Sequence, residues 1–333
     1  MTDRFLIVKL SSLGDVVHAL PLVSELRSKF PDSRIDWLVG DKGYELLKLI
    51  PTLSNVYKLN FDSLRQIRKN QYDYVIDVQG LFKTGLISRF AASKKVIGFK
   101  NTREFADLFY DEKINVGNLF KTKKHVVDLN LQLLSGIINN PDSKKINFQI
   151  PKLQPDKISP LKHDRNKKAL LLPSTTWESK KWDLDHWYEL VALISSEYRI
   201  IISGATSDID YIEPLVLKLS KNNILFENFI GKTNINDLIY LIQNVDLVIG
   251  LDSGGLHLAS AIKNDYGKPN VIGIFGPTSI FRNGIYKEPD HCIYLKDLEC
   301  IPCRKKICPL GHHKCMQYLT PDKVIPMLKS LSW

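Results

Sequence analysis

Short apolar runs alternate along the chain with stretches in which apolar residues recur every three or four positions. Residues 5–10 are apolar except for Lys9 and read as a buried strand. Over residues 16–30, Val17, Leu20, Val23, Leu26 and Phe30 share the spacing of one helix face, which predicts a helix. The alternation continues with strands predicted at 34–39, 56–59, 74–78 and 95–99, and helices at 43–50, 62–70, 82–92 and 124–138. Residues 141–168 break it, with Pro141, Pro151, Pro155 and Pro160 set among Lys, Asp, Asn and Ser, as in a linker. It then restarts, with strands at 169–172, 200–203, 224–230, 247–251 and 271–275 and helices at 184–197, 208–219, 235–244 and 254–264. Strands separated by helices predict βαβ units and parallel sheets. The expected architecture is α/β, two doubly wound parallel-sheet domains facing a cleft. The first spans 1–150, a linker 151–167, the second 168–320, and a closing helix 321–333.

A length of 333 residues agrees with two domains. With 44% hydrophobic and 25% charged residues, the composition excludes a disordered chain and a small disulfide scaffold. No apolar run approaches the ~20 residues that span a bilayer. The run at 5–10 is too short for the core of a signal peptide, so a cytoplasmic protein is expected. The net charge of +10 is unevenly placed. Residues 1–165 carry 27 Lys and Arg against 18 Asp and Glu; residues 166–333 carry 19 against 18. A basic first half fits an anionic partner or a merely solubilising surface.

Candidate chemistry gathers where strands end. Lys9-Leu-Ser-Ser-Leu-Gly-Asp-Val-Val-His18 follows the first strand and opens a helix. Gly14 allows close backbone approach, and Asp15 stands at the helix start, where capping is the plain reading. The run lacks G-x-G-x-x-G, which argues against a nicotinamide dehydrogenase. Pro173-Ser-Thr-Thr-Trp-Glu-Ser-Lys180 again joins a strand to a helix; Thr175, Thr176 and Lys180 suit phosphate oxygens or line a solvated loop. Gly250-Leu-Asp-Ser-Gly-Gly-Leu-His257 places Ser253, Gly254 and Gly255 at a helix N-terminus, whose free N–H groups favour an anion. The triplets Asp183-Leu-Asp185 and Asp208-Ile-Asp210 sit where helices begin and read as caps before metal ligands. Cys300-x2-Cys303-x4-Cys308-x6-Cys315 could hold a structural zinc, or its thiols could simply pack a loop.

Together these segments resemble glycosyltransferase family 9, the lipopolysaccharide heptosyltransferases. The resemblance covers nearly the whole chain. It rests on Ser11-Ser-Leu-Gly-Asp-Val-Val-His-Ala-Leu-Pro21, Asp77-Val-Gln-Gly-Leu-Phe-Lys83, Arg103-Glu104 with Leu108-Phe-Tyr110, and Thr175-Thr176 with Lys180. Asp252-Ser-Gly-Gly-Leu-His257 and Phe275-Gly-Pro-Thr278 complete it. The Asp77 and Arg103 segments are more similar to heptosyltransferase I than to II. The resemblance implies a GT-B fold of two Rossmann-like domains, acceptor on the first and nucleotide-sugar on the second. It implies an inverting transfer of heptose from ADP-heptose to a Kdo residue of Kdo-lipid A. Asp15 is then the general base, and Ser12, Gly14, Lys83 and Arg103 bind the acceptor. Thr175, Thr176, Lys180, Asp208, Asp252, Ser253, Gly254, Gly255 and His257 bind the donor, Asp208 standing where the family has an acidic residue on the ribose. The resemblance implies that no cofactor is required for catalysis. The basic first half then meets the acceptor's carboxylates and phosphates and the anionic cytoplasmic face of the inner membrane. Competing readings are heptosyltransferase II or another family member with a different acceptor sugar, and a basic nucleic-acid-binding protein. Against the last, the basic excess lies in the first half and the cysteines near the C-terminus.

Overall fold

The structure, a computed structural model, describes residues 2–119, 121–138, 146–161 and 167–331. Pro141, positions 162–166 of the predicted linker and the last two residues of the closing helix lie outside them. The chain divides into two compact units, Met1–Pro151 and Lys152–Trp333.

The first unit holds strands β1 (Arg4–Val8), β2 (Arg34–Val39), β3 (Asn55–Lys58), β4 (Tyr72–Asp77), β5 (Ser93–Phe99) and β6 (Glu112–Ile114). They form one parallel sheet in the order β3-β2-β1-β4-β5-β6. The second unit holds β7 (Lys167–Leu172), β8 (Tyr198–Ile202), β9 (Phe226–Asn228), β10 (Leu247–Leu251), β11 (Asn270–Ile274) and β12 (Cys292–Ile293). Its sheet is also parallel, in the order β12-β11-β10-β7-β8-β9. The two windings match strand for strand. Each sheet grows outward from its first strand, then resumes on that strand's other side. The reversals fall between β1 and β4 and between β7 and β10. In open parallel sheets, ligands bind beyond the carboxyl ends of the strands at such a reversal.

The central strands read clearly because both their faces are covered. Phe5, Leu6, Ile7 and Val8 are fully buried, as are Ala169, Leu170 and Leu171 and most of β10. In the second core, Trp182 and Trp187 meet edge to face with ring centres 5.0 Å apart. The predicted helix over 16–30 is two helices, Leu13–Val17 and Pro21–Lys29. Pro21 lacks the N–H that would extend the first ladder and instead starts the second helix. Strands β6 and β12, of three and two residues, have no counterpart in the hydrophobic pattern, being too short to show a period. The expected helix at 124–138 is confined to Val126–Gln132 with a 3-10 turn over Leu133–Gly136. The strand at 224–230 shrinks to three residues, and the closing helix begins at Ile325 after a turn at Pro321–Lys323.

Candidate active site

At the first reversal, Ser12 caps the helix Leu13–Val17 and Asp15 is its third residue. One carboxylate oxygen of Asp15 accepts hydrogen bonds from the Ser12 N–H at 2.9 Å and the Ser12 hydroxyl at 3.0 Å. These two bonds fix the carboxylate's direction. Gly14 beneath it is buried, while Asp15 is only partly so.

The facing loop is built from below. Asp77, fully buried at the end of β4, accepts from the Tyr110 hydroxyl at 2.8 Å and from the N–H groups of Gln79 and Gly80 at 2.9 and 3.1 Å. Burial pushes the Asp77 pKa up despite hydrogen bonds from Tyr110, Gly80, Thr84 and Gln79. A Cβ on Gly98 would run into the Tyr110 ring, so only glycine lets that ring reach Asp77. The tied turn passes through Gly80 at φ +69° and aims Gln79 at the β1 loop. The Gln79 Oε1 accepts from the N–H groups of Leu10 and Ser11, each at 3.3 Å. Gln79 therefore laces together the two loops that flank the reversal. Gln79→Met leaves those N–H groups without their acceptor, and turnover is expected to fall roughly tenfold with ADP affinity unchanged. Gln79→Glu, which keeps an acceptor at the same reach, is expected to retain activity; full activity in Gln79→Met would contradict this role. Lys83 and Arg103 are exposed on the segments that follow β4 and β5.

At the second reversal the centre is Asp252, buried just beyond β10. The Lys180 ammonium stands 2.8 Å from one carboxylate oxygen and also donates to the Asp252 carbonyl at 3.3 Å. The Thr278 hydroxyl donates to the same carboxylate oxygen at 2.5 Å, and His257 Nε2 lies 2.9 Å from the other. Burial alone would raise the Asp252 pKa. The Lys180 charge and the His257 hydrogen bond outweigh it, so the carboxyl is held well below the usual range. Lys180 also sits 4.5 Å from the centre of the Trp177 ring. Asp252 and His257 thus occupy the inside of the site, where they hold Lys180 in place. Thr175 donates to the Asp252 carbonyl at 3.4 Å, and Thr176 is exposed.

The helix Gly254–Tyr266 starts beside them, capped at Ser253. A Cβ on Gly255 would stand 3.0 Å from Leu172 at the end of β7, which explains glycine at this close approach. Asp208 accepts from the Ser174 hydroxyl at 2.6 Å and the Ala205 N–H at 2.8 Å, tying the loop after β8 to the loop after β7. Asp183 accepts from the Asp185 N–H at 2.8 Å, a helix cap. Sequence reasoning does not single out Ser174, Gln79 or Thr278 as site residues. For Gln79 and Thr278 the signal was present, since both lie inside the quoted family segments.

The zinc clip that the cysteine spacing admits is not shown. Cys300, Cys303, Cys308 and Cys315 are free thiols, and among the described residues no group of three or more His, Cys, Asp or Glu is placed to hold a metal ion. Their surroundings differ in kind. Burial, with the neighbouring thiols, pushes Cys315 up to about 12. Backbone N–H groups, that of His313 foremost, pull Cys308 down. The segment braces the turn that carries Lys180. Ser179 donates through its N–H to the Lys306 carbonyl at 3.0 Å and through its hydroxyl to the Lys305 carbonyl at 2.5 Å. The Ser179 carbonyl lies 2.7 Å from His313 Nε2. His313→Ala is expected to weaken ADP binding by about three- to tenfold, the worth of one partly buried hydrogen bond. Calorimetric titration checks it; unchanged affinity would reduce the segment to packing.

Two Rossmann-like units of this winding, with a lysine-bearing loop and a glycine-rich helix start at the second reversal, are the architecture of the GT-B fold. Solved structures share the fold. The E. coli heptosyltransferase WaaC with ADP superposes at a TM-score of 0.75 and 22% identity, covering 99% of this chain and 100% of that one. E. coli ADP-heptose heptosyltransferase II gives 0.72 and 18%, with 98% of each chain covered. The glycosyltransferase family 9 (heptosyltransferase) model matches residues 61–314, and the chain belongs to that family. Lipooligosaccharide heptosyltransferase 2 of Campylobacter jejuni serotype O:6 is 33% identical over 96% of both chains. Lipopolysaccharide heptosyltransferase 1 of E. coli K12 is 27% identical over 83% of this chain and 88% of that protein. Relatives of both names match, so the likeness to heptosyltransferase I in the Asp77 and Arg103 segments does not separate the two.

Proposed function

We propose that the enzyme transfers heptose from ADP-heptose to a Kdo residue of Kdo-lipid A in the synthesis of the lipopolysaccharide inner core. The observation that carries the reading is the Lys180–Asp252 pair at the reversal of the second sheet, a fixed cation beside a helix N-terminus. A related enzyme, E. coli WaaC, is known in complex with ADP-2-deoxy-2-fluoro heptose. In this reading the first unit takes the acceptor and the second the nucleotide-sugar. An acceptor hydroxyl attacks the anomeric carbon as Asp15 accepts its proton. The bond to the diphosphate breaks, ADP leaves with the electron pair, and the configuration inverts. Lys180, Thr175, Thr176 and the N–H groups at Ser253, Gly254 and Gly255 stabilise the leaving charge, so no cofactor is required. Asp208 faces the ribose. Lys83 and Arg103, with Ser12 and Gly14, hold the acceptor.

The enzyme works as a peripheral protein on the cytoplasmic face of the inner membrane, with no nucleic-acid partner. Among the described residues no helix is long and apolar enough to cross a membrane. The second reading, transfer to a heptose already on the core, draws on the relatives named heptosyltransferase 2. Offering ADP-heptose with either a Kdo-terminated or a heptosyl-Kdo-terminated lipid A acceptor separates them. A mass gain of one heptose on the first alone is expected. Gain on the second alone would assign the alternative, and gain on neither would overturn both.

A further inference from the structure

In the helix Phe82–Phe90, the side chains of Phe82, Leu86 and Phe90 recur every fourth residue and so form one stripe. They stay 49%, 52% and 41% exposed, while Thr84, Ile87 and Ser88 on the other side are buried. The 3-10 turn Ala106–Phe109 packs against the same helix at Gly85, where a Cβ would come within 3.0 Å of the Ala106 carbonyl. Phe109 meets Phe82 edge to face at 5.2 Å. The turn thereby brings Phe105 and Leu108, 69% and 72% exposed, alongside the stripe. Five exposed large apolar side chains in one region mark an interaction surface.

Basic groups rim this region. Lys83 is on the helix itself, the Arg68 guanidinium is 4.6 Å from the centre of the Phe90 ring, and Arg103 precedes Phe105 in the chain. We propose that this face seats the enzyme on an anionic lipid bilayer, with the stripe in the acyl boundary and the cations at the headgroups. The proposal rests on the reading that the acceptor is lipid-borne, and it names where the membrane is met. Helices with Phe and Leu on one side and Lys and Arg beside them lie in the bilayer interface, and stable anchoring combines an apolar element with a basic one. A second copy fits less well. A twofold contact sets the same patch against itself, so it brings a second set of Lys83, Arg68 and Arg103 charges into one contact.

The test sediments the full chain with vesicles of phosphatidylethanolamine and phosphatidylglycerol, and with phosphatidylcholine vesicles. Wild type is expected to bind the anionic vesicles, less so at high salt. Leu86→Glu/Leu108→Glu is expected to bind them at least about tenfold more weakly. Its ADP affinity and its turnover on a delipidated acceptor should match wild type. Wild-type-like sedimentation of the variant, no binding by wild type, or a dimer dispersed by the substitutions would each overturn the proposal. If wild type transfers heptose to the delipidated acceptor in any of those cases, the heptosyltransferase reading stands without it. If wild type transfers none, that reading itself fails.

Discussion

Asp15→Asn is expected to lower turnover by about 10²–10⁴-fold, the usual contribution of general base catalysis, and to leave ADP affinity unchanged. The substitution keeps the shape of the side chain and an oxygen that accepts from the Ser12 N–H and hydroxyl, as Asp15 does. The helix cap therefore survives, and only the capacity to take a proton is lost. A residue that merely supports the cap would leave both turnover and stability unchanged, since the Asn oxygen still accepts from Ser12. Turnover and thermal unfolding measured on the same preparation separate the two roles. A large loss of kcat with Tm unchanged supports the base, and an unchanged kcat leaves Asp15 as a cap alone.

Lys180→Ala is expected to reduce both ADP affinity and stability. In the proposed reaction the lysine supplies the cation for the diphosphate, and in the structure it neutralises a carboxylate that is buried among its partners. Removing one member of a buried pair typically costs about 3–5 kcal/mol, because the other is left uncompensated. The pH dependence follows from the direction of the Asp252 shift. Its folded pKa lies below its ordinary value, so the pair contributes stability above the unfolded value near ~3.9. That contribution disappears as pH falls from there toward the folded value. Without Lys180 the largest downward influence on Asp252 is gone, its folded pKa rises, and acid unfolding is expected to begin at higher pH. In Lys180→Met/Asp252→Asn no charge is stranded, so stability should largely return while ADP affinity does not. If ADP binding recovers as well, Lys180 does not contact the diphosphate.

The alternation of apolar runs gave the strand order of neither sheet, but it located ten of the twelve strands, because a strand covered on both faces is apolar throughout. It missed β6 and β12 for want of length. It also ran one helix through Pro21, since apolar spacing persists across a break that depends on a missing N–H. The site was legible as loops after strands. Asp15, Lys180 and the Ser253–Gly255 helix start all lie next to the two reversals, at the ends of β1, β7 and β10. What holds those loops was not legible, because it depends on distant partners. Gln79 reaches Ser11 across 68 positions of the chain, and Ser179 reaches Lys305 across 126. No local period encodes such a bond. Asp252 shows the same limit from the other side: its motif marks it for the site, yet its inward role appears only once Lys180, His257 and Thr278 are seen around it. The cysteine spacing admits a zinc clip, but that the segment braces Ser179 appears only in the fold.

In the proposed reaction a single displacement occurs at the anomeric carbon, with ADP leaving as Asp15 takes the acceptor's proton. The anomeric configuration of the product tests it most directly. Starting from the β-linked ADP-heptose, nuclear magnetic resonance of the purified product is expected to show an α-linked heptose on Kdo, with one ADP released per heptose transferred. A β-linked heptose would mean two displacements, or none at that carbon, and would contradict the account.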